Sequence, residues 1–451
     1  MPMQPTYFNK PILIVGLGIS GLAAARFLLT QKALVWAIDQ NKDKLRKRSD
    51  IQILESQGLQ FVAEKDLPPL ETFLLVVTSP GVPLTHPVLQ LAQAKNIKIL
   101  GEIELAFRSL RNKLIGITGT NGKTTVTLLL THLLNYAGIP AKAVGNVGEP
   151  LSAEITCSSE TVLVVELSSF QLDTLQSRQL DMGVILNITP DHLDRYASME
   201  DYALSKMKIK SCIKEGAPLY MEEKAFQNYG FLQANFPCHL YGYSHNCHLM
   251  SDQQHLFLNK NIDSILPVEY RGTKSHKLEN LMAAYGLCRE MGIDATLFWE
   301  GVSTFNTPPH RIEKVAIFKD VSYYNDSKGT NIDAVMRAIE AIEGPIILIA
   351  GGVDKGTDFS PWISAFANKV KHICVIGQAT EKLDRTLSKS FNVVRCQNMH
   401  DAVKHASSLA YPGDNVLLSP GCASYDMFEN YAHRGKTFRE AVNALASIQN
   451  T

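Results

Sequence analysis

The segment Gly119-Thr120-Asn121-Gly122-Lys123-Thr124-Thr125 carries the residue types that grip a polyphosphate. Its glycines let successive backbone N–H groups turn inward as an anion nest. The Lys123 ammonium can reach the phosphates, and the Thr124 hydroxyl can serve Mg²⁺. The spacing departs from the common phosphate loop, G-x-x-x-x-G-K-[ST], because Ile117 stands where its first glycine belongs. The glycines fall instead at Gly116, Gly119 and Gly122. The mechanics survive this shift: an apolar run, Lys113–Ile117, enters the loop, and a helical pattern, Thr124–Tyr136, leaves it. ATP use is the chemistry expected.

A second glycine cluster, Gly16-Leu17-Gly18-Ile19-Ser20-Gly21, follows the strand-like run Pro11–Val15, and Asp39 closes the next strand, Ala33–Ile38. This is a dinucleotide-type fingerprint, in which a pyrophosphate approaches a helix N-terminus. It fits NAD or another nucleotide diphosphate, and the motif does not choose between them. Other candidates are scattered. Glu166, after the run Thr161–Val165, is placed either to hold Mg²⁺ or simply as a strand-end acid. His192, in Asn187-Ile188-Thr189-Pro190-Asp191-His192-Leu193-Asp194-Arg195, suits a metal or, more plainly, a helix cap. Nothing local marks Lys206 as more than a surface lysine. Three polar loops, Asp326–Asn331, Gly351–Gly356 and Ser419–Ser424, each follow a strand-like run, and two of them bring lysines, Lys328 and Lys355. In an open α/β sheet that edge forms the ligand crevice, so they point to an anionic ligand, with surface turns as the alternative.

The elements that must position these residues alternate between strand and helix, which predicts parallel sheets. Phe73–Val77, leading to Thr78-Ser79-Pro80-Gly81, and Met182–Leu186 add further strands. Residues 216–273 read as added β structure and Leu278–Met291 as a helix. Val321–Asn325, Ile346–Ala350, His372–Ile376 and Asn415–Leu418 form a last α/β series. With 451 residues, about three domains are expected. Lys+Arg and Asp+Glu both number 44, so the net charge of zero calls for neither nucleic acid nor an anionic membrane as partner. No apolar run approaches a membrane span, and Met1–Pro5 lacks the pattern of a secretory leader. The eight cysteines include no C-x-x-C pair, so neither a disulfide framework nor a zinc site is indicated. A cytoplasmic protein is expected.

Taken together, Gly119–Thr125, Glu166-Leu167-Ser168-Ser169-Phe170-Gln171-Leu172, Asn187–Arg195, His310-Arg311 and Asp326–Asn331 resemble, in order, the motifs of the Mur ligase family. The resemblance spans nearly the whole chain and includes the family's own form of the phosphate loop. It implies an α/β protein of three domains: a Rossmann-like UDP-binding domain at 1–102, a central P-loop ATPase-type domain at 103–307, and a C-terminal Rossmann-like domain at 308–451. The leading Gly16–Gly21 loop and the Ser419–Ser424 run resemble the branch that adds D-glutamate. An Asp-Asn-Pro-Arg-type motif, carried by the branch that adds diaminopimelate or lysine, is absent.

The resemblance implies ligation of D-glutamate to UDP-N-acetylmuramoyl-L-alanine, with ATP and two Mg²⁺ sites (Mn²⁺ a possible substitute), in a monomer. It also implies roles. Gly119, Thr120, Asn121, Gly122, Lys123, Thr124 and Thr125 would hold the ATP phosphates, and Asn280, Arg311 and Asp326 would contact the nucleotide. Glu166 would bind one metal with Thr124. His192 would bind the other with Lys206, the latter as a CO₂-derived carbamate. Gly18, Ile19, Ser20, Asp39, Ser79, Pro80 and Gly81 would line the uridine diphosphate site. Asn146, His192 and Arg195 would meet the same substrate nearer its reacting end. Lys328, Thr330, Lys355, Ser424 and Tyr431 would surround D-glutamate. Lys277, Gln40 and Tyr431 depart from residues familiar in relatives, which touches local nucleotide and uracil contacts. Competing readings are an NAD-dependent oxidoreductase, which leaves the 119–125 loop idle, and a non-catalytic nucleotide-gated binding protein.

Overall fold

The computed structural model describes residues 7–233, 236–272 and 274–448. Met1–Pro5, on which the expectation about a leader rests, lie outside the described residues. Three sheets organise the described residues. The first has the order Gln60–Phe61, Leu34–Ile38, Pro11–Val15, Leu75–Thr78, Lys98–Gly101, all parallel. Its central strand, Pro11–Val15, is a run of β-branched and leucine residues with no polar alternation, which suits a strand covered on both faces. Ile12 and Ile14 face one core with Leu22, Ala25 and Leu28 of the helix Ile19–Thr30. Leu13 and Val15 face another core with Val88 and Leu89 of the helix Pro87–Ala94.

The second sheet has nine strands. In spatial order these are Asn261–Ile265, His255–Leu258, Leu249–Ser251, His239–Gly242, Leu219–Glu222, Met182–Ile185, Leu114–Thr118, Val162–Glu166 and Ala141–Gly145. Pairing is parallel from Ala141–Gly145 as far as Leu249–Ser251, and antiparallel in the last two steps. Those last strands are the added β structure expected between 216 and 273. The helices Lys123–Tyr136 and His276–Glu290 share one core, through Val126, Leu130 and Leu133 on the first and Leu281, Met282 and Tyr285 on the second.

The third sheet runs Glu313–Phe318, Val321–Asn325, Asn415–Leu418, Ile346–Gly351, Val370–Ile376, Asn392–Arg395. Only its first strand is antiparallel. The chain divides into two compact units: one takes Met1–Asn187 and Glu200–Phe305, the other Ile188–Met199 and Asn306–Thr451. The first unit therefore holds the first two sheets. The short segment Ile188–Met199, although central in sequence, belongs with the C-terminal sheet.

The α/β class with parallel-rich sheets agrees with the alternation in the sequence. Strands that the apolar runs did not reveal lie mostly at sheet edges, among them Gln60–Phe61, Ala141–Gly145, Glu313–Phe318 and Asn392–Arg395. Asn392–Arg395 has no fully buried residue, and Glu313–Phe318 is likewise half-exposed. A strand covered on one side at most has no continuous apolar run to announce it.

Candidate active site

In the first unit the phosphate-binding segment joins the strand Leu114–Thr118 to the helix Lys123–Tyr136. Gly119 has φ 143° and Gly122 φ 88°, conformations that only glycine enters without strain. Asn187 clamps the loop at three points. Its carbonyl accepts from Thr120 N at 2.7 Å, its Oδ1 accepts from Asn121 N at 2.8 Å, and its Nδ2 donates to Asn121 O at 2.9 Å. The Lys123 Nζ donates to the carbonyls of Gly119 and Thr120, each at 2.8 Å. Lys206 reaches the same place from the helix Met199–Met207: it is 1% exposed and its Nζ donates to Gly119 O at 2.8 Å. The same ammonium lies 4.5 Å from the centroid of the Tyr202 ring, whose hydroxyl sits 3.3 Å from Thr120 Oγ1. Lys206 is thus a fully buried partner of the phosphate loop, which its local sequence did not disclose.

Asn280 also borders the loop, since a Cβ built on Gly122 would lie 2.4 Å from its Oδ1. Glu166 comes alongside because Val162–Glu166 pairs with the loop-bearing strand, Ile117 opposite Glu166. It is 1% exposed. Its Oε1 accepts from Asn146 Nδ2 at 2.7 Å, while its Oε2 is buried with no hydrogen-bond partner. A buried carboxylate oxygen is costly unless matched, and a hard divalent cation matches it. Among the described residues, no three His, Cys, Asp or Glu side chains gather as a metal cage. Mg²⁺ takes one or two carboxylates and draws its other oxygens from phosphates and water. Thr124, buried at the first turn of the helix, brings a hydroxyl.

The N-terminal glycine loop is built by backbone contact. Gly16 has φ 91°, and a Cβ on Gly21 would lie 2.0 Å from Gly16 O. Ser79 donates from Oγ to Gly16 O at 2.7 Å, tying the Ser79-Pro80-Gly81 turn to the loop. Asp39 uses both carboxylate oxygens locally, accepting from Leu17 N and from Asn41 N, each at 2.8 Å. Gly18 caps the following helix and Ile19 is exposed beside it, with Ser20 on the first turn.

The second unit assembles a charged cluster around Asp191, 8% exposed. Lys355 Nζ donates to its Oδ1 at 3.0 Å and Asn331 Nδ2 to its Oδ2 at 3.2 Å. His192 Nε2 lies 3.6 Å from Oδ2. Burial alone pushes this carboxyl up, but the charges of Lys355 and His192 and the hydrogen bonds from Lys355 and Asn331 outweigh it and hold it at about 2. His192 itself adopts φ 57°, the left-handed region, and its carbonyl accepts from Arg195 N at 2.9 Å.

Lys328 places its Nζ 3.8 Å from the centroid of the Tyr431 ring. Thr330 is half-buried and Ser424 buried on neighbouring loops. Asp326 is buried and accepts from Ser419 Oγ at 2.7 Å and from Ile312 N at 3.3 Å. Burial pushes its carboxyl up to about 7 against the opposing pull of Ser419 and Arg311.

Asp191, Ser419 and Arg434 are among the residues here not singled out from the sequence. Arg434 is 0% exposed and binds Ser327 Oγ and O at 3.0 and 2.8 Å, Cys422 O at 3.1 Å and Ala423 O at 3.3 Å. It fastens the Asp326–Asn331 loop to the Ser419–Ser424 loop, and burial lowers its pKa to about 10. An arginine in the polar stretch Asn430–Lys436 gives no local hint of burial; only the loops that it joins reveal it.

A phosphate loop, an unmatched buried carboxylate beside it, and lysine-bearing loops at the edge of a separate α/β sheet define a nucleotide-dependent enzyme of ligase type. Known proteins agree with that class. The Mur ligase MurD-like N-terminal domain matches residues 10–101, the Mur ligase middle domain 117–288, and the Mur ligase glutamate ligase domain 310–422. The chain belongs to the Mur ligase family. It is 48% identical to the UDP-N-acetylmuramoylalanine–D-glutamate ligase of Protochlamydia amoebophila strain UWE25, over 99% of this chain and 100% of that protein. Its fold is similar to that of the UDP-N-acetylmuramate-alanine ligase MurC of Thermotoga maritima, with a TM-score of 0.60 at 15% identity, covering 96% of this chain and 99% of the other. It is similar also to that of the MurF ligase of the same organism in complex with ADP, with a TM-score of 0.59 at 14% identity, covering 97% and 96%.

Proposed function

We propose that this chain joins D-glutamate to UDP-N-acetylmuramoyl-L-alanine at the expense of ATP, releasing ADP and phosphate. The reaction is a step in building the cytoplasmic precursor of peptidoglycan. The observation that carries the substrate assignment is the 48% identity, over the full length, to a relative named for that reaction. The phosphate loop, with Lys123 and the buried Glu166 beside it, supports the use of ATP.

A carboxylate cannot be condensed with an amine directly at neutral pH, because hydroxide is too poor a leaving group. Transfer of a phosphoryl group onto the alanyl carboxylate makes an acyl phosphate, and the D-glutamate amine then displaces phosphate to form the amide. The protein's part is to position the reactants and to stabilise charge as it develops. The backbone N–H groups of Gly119–Gly122 and the Lys123 ammonium would cradle the phosphates. Glu166 and Thr124 would hold Mg²⁺, which supplies charge neutralisation on the transferred group when bound. Asn146 orients Glu166 and would also meet the substrate.

Lys206 would serve a second cation as a carbamate. Two ammonium groups, Lys123 and Lys206, now share the Gly119 carbonyl. A carbamate on Lys206 would exchange their mutual repulsion for attraction. The loops at Gly16–Gly21, Asp39 and Ser79–Gly81 would take the uridine diphosphate. In the second unit, Lys328, Thr330, Lys355, Ser424 and Tyr431 would take D-glutamate, while Arg311 and Asp326 would contact a nucleotide. We assign the three functional modules to 1–102, 103–307 and 308–451. Among the described residues no helix is long and apolar enough to cross a membrane.

The test is phosphate release with UDP-N-acetylmuramoyl-L-alanine against a panel of D- and L-amino acids. Release that depends on D-glutamate is expected. No amino-acid-dependent release with any of them would refute the assignment. Titration with NAD against UDP separates the oxidoreductase reading.

A further inference from the structure

Parallel pairing sets Asn325 opposite Leu418. The residues that follow, Asp326 and Ser419, therefore emerge side by side at the carboxyl edge of the six-stranded sheet, where Asp326 N donates to Leu418 O at 2.7 Å. The Ser419 hydroxyl is 0% exposed and donates to Asp326 Oδ2 at 2.7 Å. The other carboxylate oxygen accepts from Ile312 N at 3.3 Å, a longer and weaker bond. The niche is closed by a residue without a side chain. A Cβ on Gly329 would lie 2.4 Å from Asp326 Oδ2 and 2.8 Å from Ser419 Oγ, and Gly329 O is itself held by Gly421 N at 2.9 Å.

We propose that Ser419 is the positioning residue of Asp326: its hydroxyl fixes the carboxylate's orientation and keeps it an ionised acceptor for a hydroxyl donor of the nucleotide. This rests on the reading of Asp326 as a nucleotide contact.

The chemistry is that of a buried acid. An ionised carboxylate accepts hydrogen bonds only, and accepts them more strongly than a neutral acid does. Burial works against that state, pushing the Asp326 carboxyl up to about 7; the Ser419 hydrogen bond is foremost among the influences that oppose burial, followed by the charge of Arg311, the Ile312 N–H and the charge of Arg434. Near neutral pH the Ser419 hydroxyl is thus the foremost of several groups that oppose burial. Without it the acid form prevails over a wider range and the carboxyl loses its fixed orientation.

Ser419→Ala removes one oxygen and leaves the packing otherwise intact. The expected result is a rise of about tenfold in KM for ATP at pH 7, from losing a hydrogen bond to a charged group, with the smaller change in kcat. The acidic limb of kcat/KM for ATP should move up by about one pH unit, so that KM recovers toward the parent value near pH 9. Ser419→Cys, a weak donor of similar size, should fall between the two and decides the matter if the alanine variant does not fold. Asp326→Asn should raise KM for ATP and abolish the limb. A KM and a limb unmoved in both Ser419 variants, with Asp326→Asn impaired, would overturn the role of Ser419. An unchanged KM for ATP in Asp326→Asn would instead overturn the nucleotide reading beneath it.

Discussion

Asn146 holds one oxygen of Glu166, at 2.7 Å, and leaves the other buried without a partner. That asymmetry costs folding energy, which a bound cation would offset. Glu166→Gln should therefore cut phosphate release by about 10²-fold or more. The same change should leave stability equal or raise it by about 1 kcal/mol, because a neutral amide costs less to bury than an unmatched carboxylate. Thermal unfolding with and without Mg²⁺ separates these effects: Mg²⁺ should raise the parent's midpoint and leave the variant's unmoved. A variant that is less stable and still responds to Mg²⁺ would assign Glu166 a purely structural role.

Lys123 bridges two carbonyls of its own loop. Lys123→Ala should abolish ATP turnover to about 10⁻³ of the parent, with circular dichroism and melting close to normal. Retained turnover would remove the loop from the reaction.

Lys206 is buried against the same loop. If a carbamate is its working form, Lys206→Ala should be inactive, and acetate or formate should restore part of the activity by supplying a carboxylate to a hard cation. ¹³CO₂ labelling of the parent provides a second readout, a carbamate signal that the variant lacks. No rescue and no signal would remove the carbamate.

Asp326 also bears on stability. Its folded-state pKa, about 7, lies above the ordinary carboxyl value of 3.8. A raised acid stabilises the fold fully only below its unfolded value, and that contribution is lost as pH climbs through the folded one. Between pH 4 and pH 7 the parent should therefore lose stability relative to Asp326→Asn, by up to about 4 kcal/mol. Denaturant melts of both proteins at pH 5 and pH 8 give the comparison, and parallel curves would contradict it.

Lys355 and Asp191 are bonded at 3.0 Å with little solvent between them. Lys355→Met would strand a buried carboxylate and should destabilise the protein by about 3 kcal/mol, while raising KM for D-glutamate. The Asp191→Asn/Lys355→Met double variant should regain part of the stability and none of the activity. Equal melting of parent and Lys355→Met would argue against the pair.

What the sequence disclosed follows from how each feature is encoded. The phosphate loop is legible because its glycines must take φ values that other residues avoid, so chemistry and backbone coincide in one short run. Central strands such as Pro11–Val15 and Ile346–Gly351 are legible because burial on both faces leaves no room for polar residues. Lys206 and Arg434 are illegible on their own, since each sits in a polar helix and is buried only by partners distant in sequence. The resemblance to the Mur ligases drew attention to Lys206, whereas Arg434, Asp191 and Ser419 emerge from the hydrogen bonds between loops. Asp39, read from its motif as a ligand contact, also uses both oxygens to hold the turn that shapes the loop.

Asn187 grips the phosphate loop at three points and is also the last residue of the first unit before the chain enters Ile188–Met199 of the second. The loop's clamp and the start of the crossing are thus neighbours through a single peptide bond. One residue thus both shapes the phosphate loop and begins the chain's departure from its unit.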